Sequence, residues 1–156
     1  MTFRIQALTL APFQPLFDLD DDALFARGAR RMVADAPNSA PCRVSLRDAD
    51  VGDRLILLNH RHLDDPTSPY RATGPIFVRE AALETAPDIG VVPAMLSSRL
   101  LSIRAYDAAW MMTDADVVEG AALASRLSEW FDKASTARIH LHTARRGCYM
   151  AAAVRT

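Results

Sequence analysis

Lysine is nearly missing from this chain: Lys133 is the only one, and arginine supplies every other member of the 18 basic side chains. Arginine's planar fork suits bidentate recognition of carboxylate or phosphate, but a GC-rich coding bias yields the same skew, so only arginines in a defined place carry meaning. The formal net charge is −1, without the cationic excess that general nucleic-acid or anionic-membrane binding requires. Cysteine is scarce as well. Cys42 and Cys148 lie far apart with no CxxC pairing, and the start, Met1-Thr2-Phe3-Arg4, lacks a basic-then-apolar export signal. A reduced, cytoplasmic protein with two free thiols is therefore expected. No apolar run approaches the roughly 20 residues of a membrane-spanning helix.

What the chain does have is apolar content. Half of its 156 residues are hydrophobic, enough for one good core, and residues 1–156 read as a single globular domain. Residues 3–10 read as a strand. Asp20, Asp21 and Asp22 then open a helix whose Leu24, Phe25, Gly28, Ala29, Met32 and Val33 form one apolar stripe, with Arg27, Arg30 and Arg31 toward its end and Pro37 stopping it. Cys42 to Leu46 alternates as a strand. Leu55 to Leu58 is apolar on both faces, as a central strand would be, and carries Asn59, His60 and His62 to its C-terminal end. Asp64 to Pro75, with three prolines and a glycine, reads as a loop.

Strands follow at Ile76 to Val78, Leu101 to Tyr106 and Trp110 to Val118. A short helix lies within Val92 to Arg99, and a longer one runs from about Glu119 to Lys133 with Leu123, Leu127, Trp130 and Phe131 on its buried side. Residues 137–143 and 148–154 close as a hairpin. Most strands are too closely spaced for crossover helices. The expected fold is α+β, a largely antiparallel sheet with two longer helices packed on one face.

All four histidines fall in two spaced pairs, His60/His62 and His140/His142, each at or just past a predicted strand. An i,i+2 spacing puts both imidazoles of a pair on one face, where they can share a ligand, a metal or a proton. If the covered face takes Val44, Ile103, Ile139 and Leu141, the other presents Arg43, Ser45, Ser102, Arg104, Tyr106, His140 and His142. Arginine, tyrosine and histidine together are what an anion-binding surface uses. The loop Ser68-Pro69-Tyr70-Arg71 can fold over it. In the last hairpin, Arg145-Arg146-Gly147 fits a three-residue loop that pairs Ala144 with Cys148 and sets Cys148 beside His142. A thiolate favoured by the neighbouring arginines, with His142 as base, would be a nucleophile. The methionines and Trp110 and Trp130 read as core packing.

The leading expectation is a small anionic ligand held by Arg43, Tyr70, Arg71, Arg104 and Tyr106, with His140, His142 and Cys148 as the catalytic candidates, no metal ligand assigned and no cofactor named. A metal-dependent hydrolase using His60, His140 and His142 is the second reading, set behind the first because Leu63-Asp64-Asp65-Pro66 signals that the strand ends before His62. An interaction module facing an acidic protein partner is the third. The same residues also fit an ordinary polar sheet face.

The ordered set Pro41-Cys42-Arg43-Val44-Ser45-Leu46, Ser68-Pro69-Tyr70-Arg71 with Gly74-Pro75-Ile76-Phe77-Val78-Arg79, Arg104-Ala105-Tyr106-Asp107, and Ile139-His140-Leu141-His142 with Gly147-Cys148 resembles domain-of-unknown-function family 1203. The similarity runs over nearly the whole chain. It implies a small single-domain bacterial protein without an established activity, so no catalytic role is carried over. Thr143 stands where the family's pattern favours asparagine, and the second histidine pair is the firmer of the two.

Overall fold

The computed structural model describes residues 2–156. Two five-stranded sheets make up the α+β architecture. The first has strand order β1 (Phe3–Gln6), β10 (Tyr149–Arg155), β9 (Arg138–Thr143), β7 (Leu100–Tyr106), β8 (Met112–Glu119), antiparallel throughout. The second runs β2 (Arg30–Val33), β5 (Arg54–Leu63), β6 (Ala72–Arg79), β3 (Pro41–Cys42), β4 (Arg47–Asp48), with β3 and β6 parallel. Among the described residues three short α-helices accompany them, α1 (Asp21–Ala26), α2 (Ala94–Ser97) and α3 (Leu123–Asp132), with 3-10 turns at Gln14–Asp18 and, entering α3, at Gly120–Ala122.

Alternation places the core. On β9, Ile139 and Leu141 point toward α3 and join Ile103 and Leu101 of β7, Leu123, Leu127 and Phe131 of α3, and Phe3 and Ile5 of β1, all at most 2% exposed. Burying such side chains contributes about 1.5–3 kcal/mol each. The opposite face of β7 and β9 therefore carries Ser102, Arg104, Tyr106, His140 and His142. That face is not open. His62 of β5 reaches it from the second sheet, and Tyr149 of β10 packs with Val44, Ile76 and Val78 in a second apolar cluster.

The expectation of two longer helices on one face is corrected, because only α3 approaches that description. The predicted helix beginning at Asp20 is capped as foreseen, the Asp20 carboxylate accepting from Ala23 N at 2.8 Å, but it stops at Ala26. Gly28, at φ +69°, closes it: Gly28 N–H bonds the Phe25 carbonyl and Ala29 N–H the Leu24 carbonyl, the paired C-terminal bonds of a Schellman motif. Arg30 to Val33 continue as strand β2, with Ala29 packed on Leu24 and Ile56.

The predicted strand Cys42 to Leu46 is also corrected. After Cys42 the chain makes a buried turn through Leu46 (φ +49°), and β4 returns alongside β3. The Arg43 guanidinium fills this turn and donates to main-chain carbonyls, which makes a buried irregular segment tolerable. The loop after β5 is shorter than expected, since β6 already begins at Ala72. Pro75 is accommodated within β6 because β3 pairs with that strand only at Phe77. No helix among the described residues is long and apolar enough to cross a membrane.

Candidate functional site

Three imidazoles meet where the sheets face one another. Strand β9 delivers His140 and His142, whose Cα partners on β7 are Arg104 and Ser102. Strand β5 delivers His62 from the other sheet. Arg61 pairs with Thr73 and Leu63 with Ala72, so His62 is the extra residue of a β-bulge. One ring nitrogen of each histidine lies within 4.8 Å of one from each of the other two. Ligands about 2.1 Å from a tetrahedral zinc are about 3.4 Å apart, a contraction within reach of small ring rotations.

All three histidines of the cluster are held by aromatic neighbours. Tyr149 stacks on His62 at 5.4 Å with rings 5° from parallel, and presents its edge to His140 and His142 at 5.3 and 5.7 Å. Tyr106 and Trp110 pack edge-to-face on His140 at 5.2 and 5.4 Å. Trp110 occupies the left-handed region at φ +60°, rare for a bulky residue, in a turn where the Asp107 carboxylate accepts from Ala109 N and Met111 N. The Arg138 guanidinium covers its other side at 3.9 Å. Trp110 carbonyl accepts from Ser68 Oγ at 2.9 Å, which ties the 64–71 loop of the second sheet to this turn of the first.

The nitrogen inventory is specific. His142 Nδ1 is 2.9 Å from the Gly147 carbonyl, an acceptor only, so Nδ1 carries the proton and Nε2 bears a lone pair. His142 Nε2, His140 Nδ1 and His62 Nδ1 are buried and have no hydrogen-bond partner among the described residues. Burial pushes His140 and His142 down to about 3 and His62 to about 4, reinforced by the other imidazoles and by the Arg104 charge. For His142 the Gly147 bond opposes that fall. All three are neutral at pH 7. No carboxylate bonds any of them among the described residues.

The residues expected to act together are divided by the fold. Arg104, Tyr106, His140 and His142 share the face. Tyr70 reaches it through an edge contact with Tyr106 at 6.0 Å, while Arg71 pairs with Asp64 at 3.0 Å. Arg43 lies on the far side of Tyr149, whose carbonyl it binds. Cys148 does not share the face of His142. Gly147 N–H bonds the Thr143 carbonyl and Thr143 N–H the Cys148 carbonyl, making a four-residue turn that pairs Tyr149, not Cys148, with His142. His60 of the proposed metal set stands apart, between Phe13 and Tyr149 at 5.9 and 6.1 Å. His62 takes its place because β5 runs on to Leu63. Trp110, assigned to packing, lines the site instead. Tyr149 was hidden by the turn length, and no sequence signal marks Trp110.

The fold and site define an α+β protein of two five-stranded sheets with a neutral three-histidine cluster at their junction. The chain belongs to the family described as Protein of unknown function (DUF1203), whose model matches residues 39–155. No curated protein and no solved structure matches it.

Proposed function

We propose that the protein binds one divalent transition-metal ion through His62, His140 and His142 and uses it on a small anionic molecule, with hydrolysis as the reaction class. The observation that carries this reading is a cluster of three neutral histidines, each with a buried ring nitrogen left without a partner and each with one ring nitrogen within 4.8 Å of the others. An unpaired buried polar atom costs about 1–3 kcal/mol, and one ion would satisfy all three. The Gly147 carbonyl holding His142 Nδ1–H supports it further, because metal-bound histidines characteristically donate their second nitrogen to a carbonyl or carboxylate. Three neutral ligands leave the ion's full charge in place. That is the condition under which bound water becomes acidic enough to serve as nucleophile near pH 7.

Arg104 supplies the anion preference. It is the one arginine of the expected anion set whose Cα partner is a triad histidine, and its charge acts on all three. The test is elemental analysis of the purified protein together with thermal unfolding. About one equivalent of metal is expected, lost in His140→Ala and in His142→Ala. At an ion concentration a hundredfold above Kd the stabilisation is about 2.7 kcal/mol, and the midpoint would rise by about 5–10 °C. A metal-free protein whose midpoint ignores zinc, manganese, iron(II) and cobalt would sink the proposal.

A further inference from the structure

Across the Tyr149 strand from the histidines lies a separate cleft of 290 Å³, walled by the 38–43 segment, Phe77, Arg99 after α2, and the β9–β10 turn. Three arginines line it: Arg43, Arg99 and Arg146. Their charges are not equally compensated. Arg99 pairs with Asp48 at 2.9 Å and also donates to the Met95 and Asn38 carbonyls. Arg146 has no carboxylate partner among the described residues. Arg43, only 2% exposed, donates Nε to the Tyr149 carbonyl at 2.7 Å and Nη1 to the Pro41 carbonyl, while its Nη2 has no partner among the described residues.

The hydrogen-bond partners of Arg43 are carbonyl oxygens alone, and a buried guanidinium so held is costly unless a counter-charge is supplied. Burial lowers Arg43 only to about 10, so it is cationic at neutral pH. Thr143 adds a hydroxyl: its Oγ1 accepts from Cys148 N at 3.1 Å, which leaves its own proton to donate. Cationic forks and a hydroxyl around a cleft of this size are the recognition chemistry of an oxyanion.

We propose that this cleft binds a small oxyanion, a phosphate, sulfate or carboxylate group with room for a modest organic body, independently of the metal reading. Arg43 Nη2 and Arg146 would provide the charge and Thr143 the additional hydrogen bond.

Cys148 borders the cleft, and Cys42, the only other cysteine, is fully buried, so Cys148 alkylation reports on occupancy. The full-length protein, treated with chelator so that no metal can attract the anion, would be alkylated with anionic iodoacetate and with neutral iodoacetamide, and the labelled peptide identified by mass spectrometry. The expected result is saturable protection of Cys148 by inorganic phosphate, sulfate or succinate; whichever protects identifies the oxyanion class. Arg146→Gln should lower the iodoacetate-to-iodoacetamide rate ratio by about threefold, the factor one unit charge produces a few ångströms away in water, and weaken protection. Because Arg146 is exposed, that variant leaves the core untouched. Arg43→Lys, which retains charge but loses the fork, should weaken protection while sparing the ratio. An unchanged ratio in Arg146→Gln, or protection that does not saturate with any of phosphate, sulfate or succinate, would overturn the proposal.

Discussion

At His142 one backbone carbonyl decides the tautomer and with it the availability of Nε2. The neutrality of His142 and of His140 has a thermodynamic consequence. Both groups sit well below their unfolded value of about 6.5, so between that pH and about 3 the unfolded chain binds more protons than the folded one. Stability is then complete above pH 6.5 and falls as the pH drops, by up to about 1.4 kcal/mol per pH unit for each group. Urea midpoints of the chelator-treated protein should fall steeply from pH 7 to pH 5, and His140→Ala should flatten that slope; a pH-independent midpoint would contradict the neutral triad. Arg104 admits a complementary test. A cation beside a dication repels it, so Arg104→Gln should retain metal with affinity equal to or tighter than the natural protein while losing response to anionic ligands, measured by calorimetry.

At the scale of elements, strands that alternate cleanly were legible and segments governed by turns were not. Leu101 to Tyr106 and Ile139 to His142 gave their faces correctly because a half-buried strand forces period two. The helix from Asp20 was overrun because Met32 and Val33 fit a helical stripe, yet Gly28 stood in place to end it. Arg43 looked like one position of an alternating strand, and only tertiary contacts show it filling a turn. For the last hairpin, a four-residue turn in place of a three-residue one exchanged Cys148 for Tyr149 beside His142. The acids and proline after Leu63 read as a strand end before His62, whereas a bulge carries the strand just far enough to deliver it. One element contact is severe enough to test directly. A Cβ on Gly120 would lie 2.1 Å from the Leu96 carbonyl oxygen and 2.7 Å from that of Arg99, so the short helical turn entering α3 can approach α2 this closely only without a side chain. Gly120→Ala should destabilise the protein by more than the about 1–3 kcal/mol typical of overpacking, visible as a lowered urea midpoint.

For the molecule as a whole, the site depends on both sheets, with two histidines from one and the third from the other. The Ser68 bond to the Trp110 carbonyl crosses the junction, and the 3.9 Å stack of Arg138 braces the same tryptophan from within its own sheet. The outermost strand of each sheet at one edge comes from the first third of the chain. Strand β1 pairs with β10 along Phe3 to Gln6, and β2 pairs with β5 along Arg30 to Val33. Both lie before residue 39, where the family match begins. A version trimmed to the matched region would strip Phe3 and Ile5 from the main core and leave β10 and β5 with a row of unsatisfied amides and carbonyls. Such bared edges recruit other chains. Size-exclusion chromatography should find the 39–156 fragment aggregated where the full chain elutes as a defined species. The stretch that carries the family match is therefore narrower than the two sheets it belongs to.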